Sequence, residues 1–348
     1  MSLRASAALA AALAFGVLGS ACARAGQDDA GPQGAAAPAA VAGQADPVPR
    51  SAGPAAGQDD PVSRAAANPG ATAGSPRPLL WSVSDADNTV YLLGSFHALR
   101  PSDYPLAPAV DAAFADAERV AFELSPGEME SPEVAPMMMA AAALPPGQDL
   151  RSSLAPATWA KLEAYAAKRS LPLASFAGTE PWFVALVVSM TEMQLMGLDP
   201  AQGLDRHLIA RATQAGKATS GLESAAEQIA ALDSMSPTEQ QQALDEALGD
   251  AEDFRAQMDE LHAQWRRGDE AGLEAAMGRD MRANYPQLYQ RINVDRNNAW
   301  LPKVRAMLDA EAEDDALVVV GSLHLLGDDG LVALLRRQGY TVERVQAQ

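Results

Sequence analysis

The sequence predicts an α/β fold: a mixed sheet core opened by an N-terminal hairpin, with flanking helices and a large helical insert in the middle of the chain. Three observations carry this. Short apolar runs alternate with helical stretches from residue 79 onward. Two of the runs, Leu79-Leu80-Trp81-Ser82-Val83 and Thr89-Val90-Tyr91-Leu92-Leu93-Gly94, flank the polar stretch Asp85 to Asn88 as a hairpin would. A third, Ala316-Leu317-Val318-Val319-Val320-Gly321, is continuously apolar, as expected of a strand covered on both faces.

Taken in order, the first element is an address. Arg4 precedes an apolar run from Ala5 to Gly16, too short to span a bilayer comfortably, and the small residues Gly19-Ser20-Ala21-Cys22-Ala23 follow. Residues 1–22 therefore read as an export signal. Leu18-Gly19-Ser20-Ala21-Cys22 resembles a permissive lipobox, which would make Cys22 a lipidated N-terminus; Ala21-Cys22-Ala23 reads equally as an ordinary cleavage site. Either processing exports the protein. The expected location is the periplasm, anchored by lipid to the outer membrane, with no other membrane contact. Residues 23–78 contain no Leu, Ile, Phe, Met, Trp or Tyr, cannot bury enough surface to offset the entropy of ordering, and read as a disordered tether.

The folded unit is then 79–348. Pro108 to Ala117 predicts a helix, and Arg119-Val120-Ala121-Phe122-Glu123-Leu124 a buried strand. Residues from about 130 to 300 form the mostly helical insert, interrupted by a short strand at Lys217 to Glu223. Pro181 to Leu198 predicts a buried core helix rather than a membrane span, because Glu192 lies within it. Trp265 with Gly268-Asp269 marks a helix end, and Met137-Met138-Met139 reads as packing. A helix from Gly330 to Arg337 and a strand from Thr341 to Val345 complete the domain.

Composition excludes some functions. Asp and Glu number 45 against 26 Lys and Arg, for a formal net charge of −19, and no Lys/Arg-rich run appears, so nucleic acid is not an expected partner. With one cysteine, no intramolecular disulfide and no cysteine-based zinc site can form within the chain.

The chemistry lies in an internal echo. Leu93-Gly94-Ser95-Phe96-His97 and Val320-Gly321-Ser322-Leu323-His324 each place Gly-Ser-x-His directly after a predicted strand, and the chain has only four histidines. Glycine there permits a sharp turn or a close approach. In open α/β sheets, sites lie beyond the carboxyl ends of strands, where Glu123 and Glu223 are also predicted. Two imidazoles with one or two carboxylates suit a divalent metal such as zinc or manganese, whose bound water a free carboxylate could deprotonate. His97, His324 and Glu123 are the expected metal ligands; Glu123, Glu223 and Arg296 the expected catalytic residues. Each has a plainer alternative: structural histidines, Glu123 paired with an arginine, Glu223 capping the helix at Ser224, and Arg296 paired with a surface acid. Asp205 and His207, at a helix start, are secondary candidates, Asp205 equally plausible as a cap. His262 reads as solvent-facing.

With those residues in view, the sequence resembles the TraB/PrgY/GumN family, whose relatives include the TIKI metalloproteases. The resemblance rests on Tyr91 to His97, the strand ending in Glu123, Gly203-Leu204-Asp205-Arg206-His207-Leu208, Gly221-Leu222-Glu223 with Glu227-Gln228, Asp295-Arg296-Asn297 with Trp300, and Val320 to Gly327. It implies a core similar to the erythromycin esterase and ChaN-like proteins, with both histidines and the strand-end glutamate in the site. From TIKI-like members it implies metal-dependent peptide hydrolysis outside the cytoplasm, hence a peptide substrate. Two readings stay open beside that one: a non-catalytic envelope lipoprotein holding a peptide, haem or metal, and a structural envelope protein.

Overall fold

A computed structural model describes residues 74–309 and 314–346. The export signal, Cys22 and nearly all of the tether lie outside the described residues. Residues 74–78, counted with the tether on composition, belong to the domain. Pro76 and Pro78 are buried, the Pro76 carbonyl accepts the Ala107 N–H at 2.8 Å, and Arg77 N–H donates to the Arg266 carbonyl at 2.8 Å.

Six strands form one sheet in the order β4-β3-β5-β2-β1-β6 among the described residues: β1 Leu80–Ser84, β2 Thr89–Ser95, β3 Arg119–Leu124, β4 Ala218–Glu223, β5 Ala316–Gly321 and β6 Thr341–Arg344. The predicted hairpin is present, with Val83 opposite Val90. Only β1 runs against the rest: it pairs antiparallel with both β2 and β6, while β2 with β5, β5 with β3 and β3 with β4 pair parallel. Every residue of β5 is buried, because it lies between β3 and β2 with its faces covered. Each buried Val or Leu there contributes roughly 1.5–3 kcal/mol by leaving water.

Counting helices of seven residues or more, the chain forms α1 Pro108–Asp116, α2 Val134–Ala141, α3 Pro156–Arg169, α4 Pro181–Leu195, α5 Leu204–Ala215, α6 Ala225–Asp233, α7 Pro237–Ala247, α8 Ala251–Arg267, α9 Arg296–Leu308 and α10 Leu331–Arg337. α4 is the expected core helix. Its Glu192 is held by Arg169 and Tyr165, and no helix among the described residues is long and apolar enough to cross a membrane. Ser224 and Ser236 close capping boxes with Glu227 and Glu239, which start α6 and α7. α8 ends at Gly268, φ 62°, as the left-handed cap predicts.

The central stretch differs from the expected insert in one respect. β4 lies within it and forms an edge of the main sheet, so the stretch is woven into the core rather than added to it. Met138 is buried, whereas Met137 and Met139 are exposed.

Candidate active site

Parallel pairing gives β4, β3, β5 and β2 a common carboxyl end, and register aligns it: Ser95 lies beside Gly321, and Leu124 beside Glu223. Sequence order cannot show this adjacency, since β3 and β2 reach one another only through β5, which follows almost two hundred residues later.

The two echo loops interlock. Ser322 Oγ donates to the Ser95 carbonyl at 3.0 Å, and a Cβ on Gly94 would stand 2.8 Å from Ser322 Oγ. Neither motif glycine has positive φ. They are required for close approach rather than for a turn: a Cβ on Gly321 would lie 3.2 Å from both Glu123 Oε1 and His97 Nε2. Gly203 serves similarly, since a Cβ there would overlap the His97 carbonyl.

Arg296, at the start of α9, is the hub. Its Nη2 donates to Glu123 Oε2 at 2.7 Å and to Glu223 Oε1 at 2.6 Å, and its Nε donates to Glu223 at 3.0 Å. Trp300 Nε1 adds a bond to Glu223 Oε2 at 3.1 Å, and the Arg296 guanidinium lies over the Trp300 ring at 4.6 Å. Glu123 also accepts the Gly321 N–H at 2.7 Å and the Gln228 side-chain N–H at 3.2 Å. One guanidinium thus compensates two buried carboxylates, so Arg296 pairs with buried acids rather than with a surface acid. Glu223 is an ion-pair partner, not the helix cap, which Ser224 supplies. Asp205 caps nothing.

The two histidines receive different partners. His97 Nδ1 lies 2.7 Å from Asp205 Oδ2, so it donates to that carboxylate, and its buried Nε2 has no hydrogen-bond partner. His324 Nδ1 lies 2.8 Å from Asn297 Oδ1, and its Nε2 faces Arg296 Nη1 at 3.1 Å. Since guanidinium can only donate, His324 accepts at Nε2 and carries its proton on Nδ1. Burial depresses the His97 pKa, but Asp205 and then Glu123 more than reverse it, leaving it raised. Burial, with Arg296 and His97 beside it, holds His324 well below the usual histidine value. Glu123 is pushed up by burial, against the opposing pull of Arg296 and His97. Burial opposes the Arg296 charge, yet Glu223 and Glu123 raise its pKa.

The donor types suit a divalent metal, but the geometry offers only part of a site. His97 Nε2 and Glu123 Oε1, 3.8 Å apart, both lie close against Gly321. His324 Nε2 is 3.9 Å from the same oxygen, and its lone pair is committed to Arg296. Among the described residues, no three His, Cys, Asp or Glu side chains are gathered to hold a metal ion. Two of the expected ligands fit a cation, and the third does not in this arrangement.

His207 stands apart. Its ring stacks on Tyr104 at 4.2 Å, and burial, with Arg211, lowers its pKa. His262 is buried rather than solvent-facing, against Asp103. Asn297 and Gln228 lie in segments that carry the family resemblance, but only the tertiary contacts show their bonds to His324 and Glu123.

The TraB/PrgY/gumN family model matches residues 79–344. The chain belongs to this family. Two relatives, each described as the uncharacterized protein YbaP, come from Escherichia coli (strain K12) and Shigella flexneri. Each is 29% identical over 163 residues, which is 47% of this chain and 59% of the relative. The chain thus spans less than two thirds of the curated relatives it matches. No solved structure matches it. The match of the TraB/PrgY/gumN family model takes in all six strands and every residue of the cluster.

Proposed function

We propose that the cluster is the centre of a hydrolase acting on amide or ester bonds, with peptides as the first substrates to test, in which His97 activates water. The observation that carries this reading is the bare, buried His97 Nε2, backed by Asp205 at 2.7 Å and separated by 3.8 Å from Glu123 Oε1. That gap is too long for a direct hydrogen bond and suits one bridging water or substrate oxygen. His97 would take the water's proton while Asp205 stabilises the resulting imidazolium, the division of labour between base and orienting carboxylate. Glu123, pushed up by burial and lying 3.8 Å from His97 Nε2, would serve the leaving group. Arg296 would fix Glu123 and Glu223 without touching the substrate.

In the alternative route His97 and Glu123 would hold a divalent metal, which would supply a water of lowered pKa. The export reading of residues 1–22 supports an action in the cell envelope.

The test is turnover of peptide and ester libraries by the full chain and by His97→Ala, before and after chelation. Turnover that survives chelation and falls about 10²–10⁴-fold in His97→Ala supports the histidine base. Turnover lost on chelation and restored by zinc or manganese supports the metal. The burial of every cluster member favours a second reading, a structural polar core. Absence of turnover with a large loss of stability in His97→Ala would establish that reading instead.

A further inference from the structure

We infer that the buried pair Asp103 and His262 is a positioning device that holds His97 in register with Asp205. This rests on the reading of His97 as the base.

The pair lies outside the Arg296 cluster. Asp103 is wholly buried in the turn Pro101–Asp103, which follows the His97 loop, and His262 is buried on α8. His262 Nε2 lies 2.9 Å from Asp103 Oδ2 and donates to it, while Nδ1 faces Arg100 Nη1 at 3.2 Å and accepts. Asp103 also accepts the Arg100 backbone N–H at 2.8 Å and pairs with Arg266. Burial raises the Asp103 pKa, but His262, Arg100 and Arg266 outweigh it and hold the carboxylate ionised.

These bonds reach His97 from two directions. Phe96, its neighbour in the chain, packs edge-on against His262 at 5.9 Å and at a tilt against Trp265 at 5.8 Å. Trp265 Nε1 in turn donates to the Gly94 carbonyl at 3.0 Å. On the other side, Tyr104 follows Asp103, bonds the Gln202 carbonyl at 2.8 Å and stacks on His207, while Leu204 N–H donates to the Phe96 carbonyl at 3.2 Å. The turn at 101–103 thus spans from α8 to the start of α5, where Asp205 sits. Displacing it moves His97 relative to its carboxylate.

The experiment compares His262→Leu, which fills the space without hydrogen bonds, with His262→Gln, which can still donate to Asp103 and accept from Arg100. The readout, in the full chain labelled at histidine nitrogen, is the hydrogen-bonded Nδ1 proton of His97, assigned by its loss in His97→Gln. We expect its exchange with water to quicken at least tenfold in His262→Leu and to return toward wild type in His262→Gln, with kcat following the same order and KM little changed. An unchanged proton in folded His262→Leu, or equal disturbance in both variants, overturns the inference. Should His262→Leu not fold, Phe96→Leu cuts the same link one residue from His97 and carries the same two outcomes. The proton is read without turnover, so an inactive protein with the expected exchange pattern removes the hydrolase reading alone.

Discussion

The loops after β2 and β5 carry the same pattern, Gly94-Ser95-Phe96-His97 and Gly321-Ser322-Leu323-His324, and end in histidines that are both almost completely buried. Their surroundings are opposite. His97 faces a carboxylate at Nδ1 and leaves Nε2 bare; His324 faces a neutral amide at Nδ1 and a guanidinium at Nε2. Burial acts against the charge on both rings, yet one pKa is raised and the other lowered. A short motif therefore specifies where an imidazole is placed and not what it does. The partner opposite each nitrogen decides that, and the partners come from α5 for one loop and α9 for the other.

The most severe way to break the comparison is to remove the cation that holds Glu123, the carboxylate beside both histidines. Arg296→Met would leave Glu123 and Glu223 buried without their cation, and should cost about 3–5 kcal/mol in denaturant unfolding, since an uncompensated buried charge is more costly than a missing pair. Next, exchanging the partners should exchange the electrostatics. Asp205→Asn should lower the His97 pKa and reduce turnover about 10²–10⁴-fold, while Asn297→Asp should raise the His324 pKa, both followed by imidazole titration in NMR.

Stability against pH gives a smaller but independent test. Because the folded state holds His324 below its unfolded value of about 6.5, the unfolded chain binds that proton first as pH falls, so stability should decline below about 6.5 by up to about 1.4 kcal/mol per unit. His97 has the opposite sign: its contribution is complete below about 6.5 and lost as pH rises through its elevated folded value. His324→Gln should flatten the acid limb only, and His97→Gln the alkaline limb only. The smallest effect on the folded domain is expected from Cys22→Ser, which should release the protein from the membrane fraction if Cys22 is lipidated and leave its unfolding curve unchanged.

Much of this arrangement was legible without coordinates. The hairpin, the buried β5 run, the cap at Gly268 and the four polar residues at strand ends all follow from local pattern, because side-chain period and glycine placement report directly on the backbone. His262 was not legible. Its acidic helical neighbours mark a solvated face, but the ring lies on the opposite side of α8, toward Asp103, more than 150 residues earlier. Arg296 is expected among the site residues, but nothing in its own segment shows that Glu123 and Glu223 converge on it.

The sequence by itself determined the class of fold, the strand ends that carry functional groups, and the glycines, Gly94 and Gly321, that open the two loops. Only the tertiary structure decided which of those groups meet and in what protonation state. Chain order leaves the order of parallel strands open, and a pKa depends on charges a few ångströms away in space rather than on neighbours in sequence.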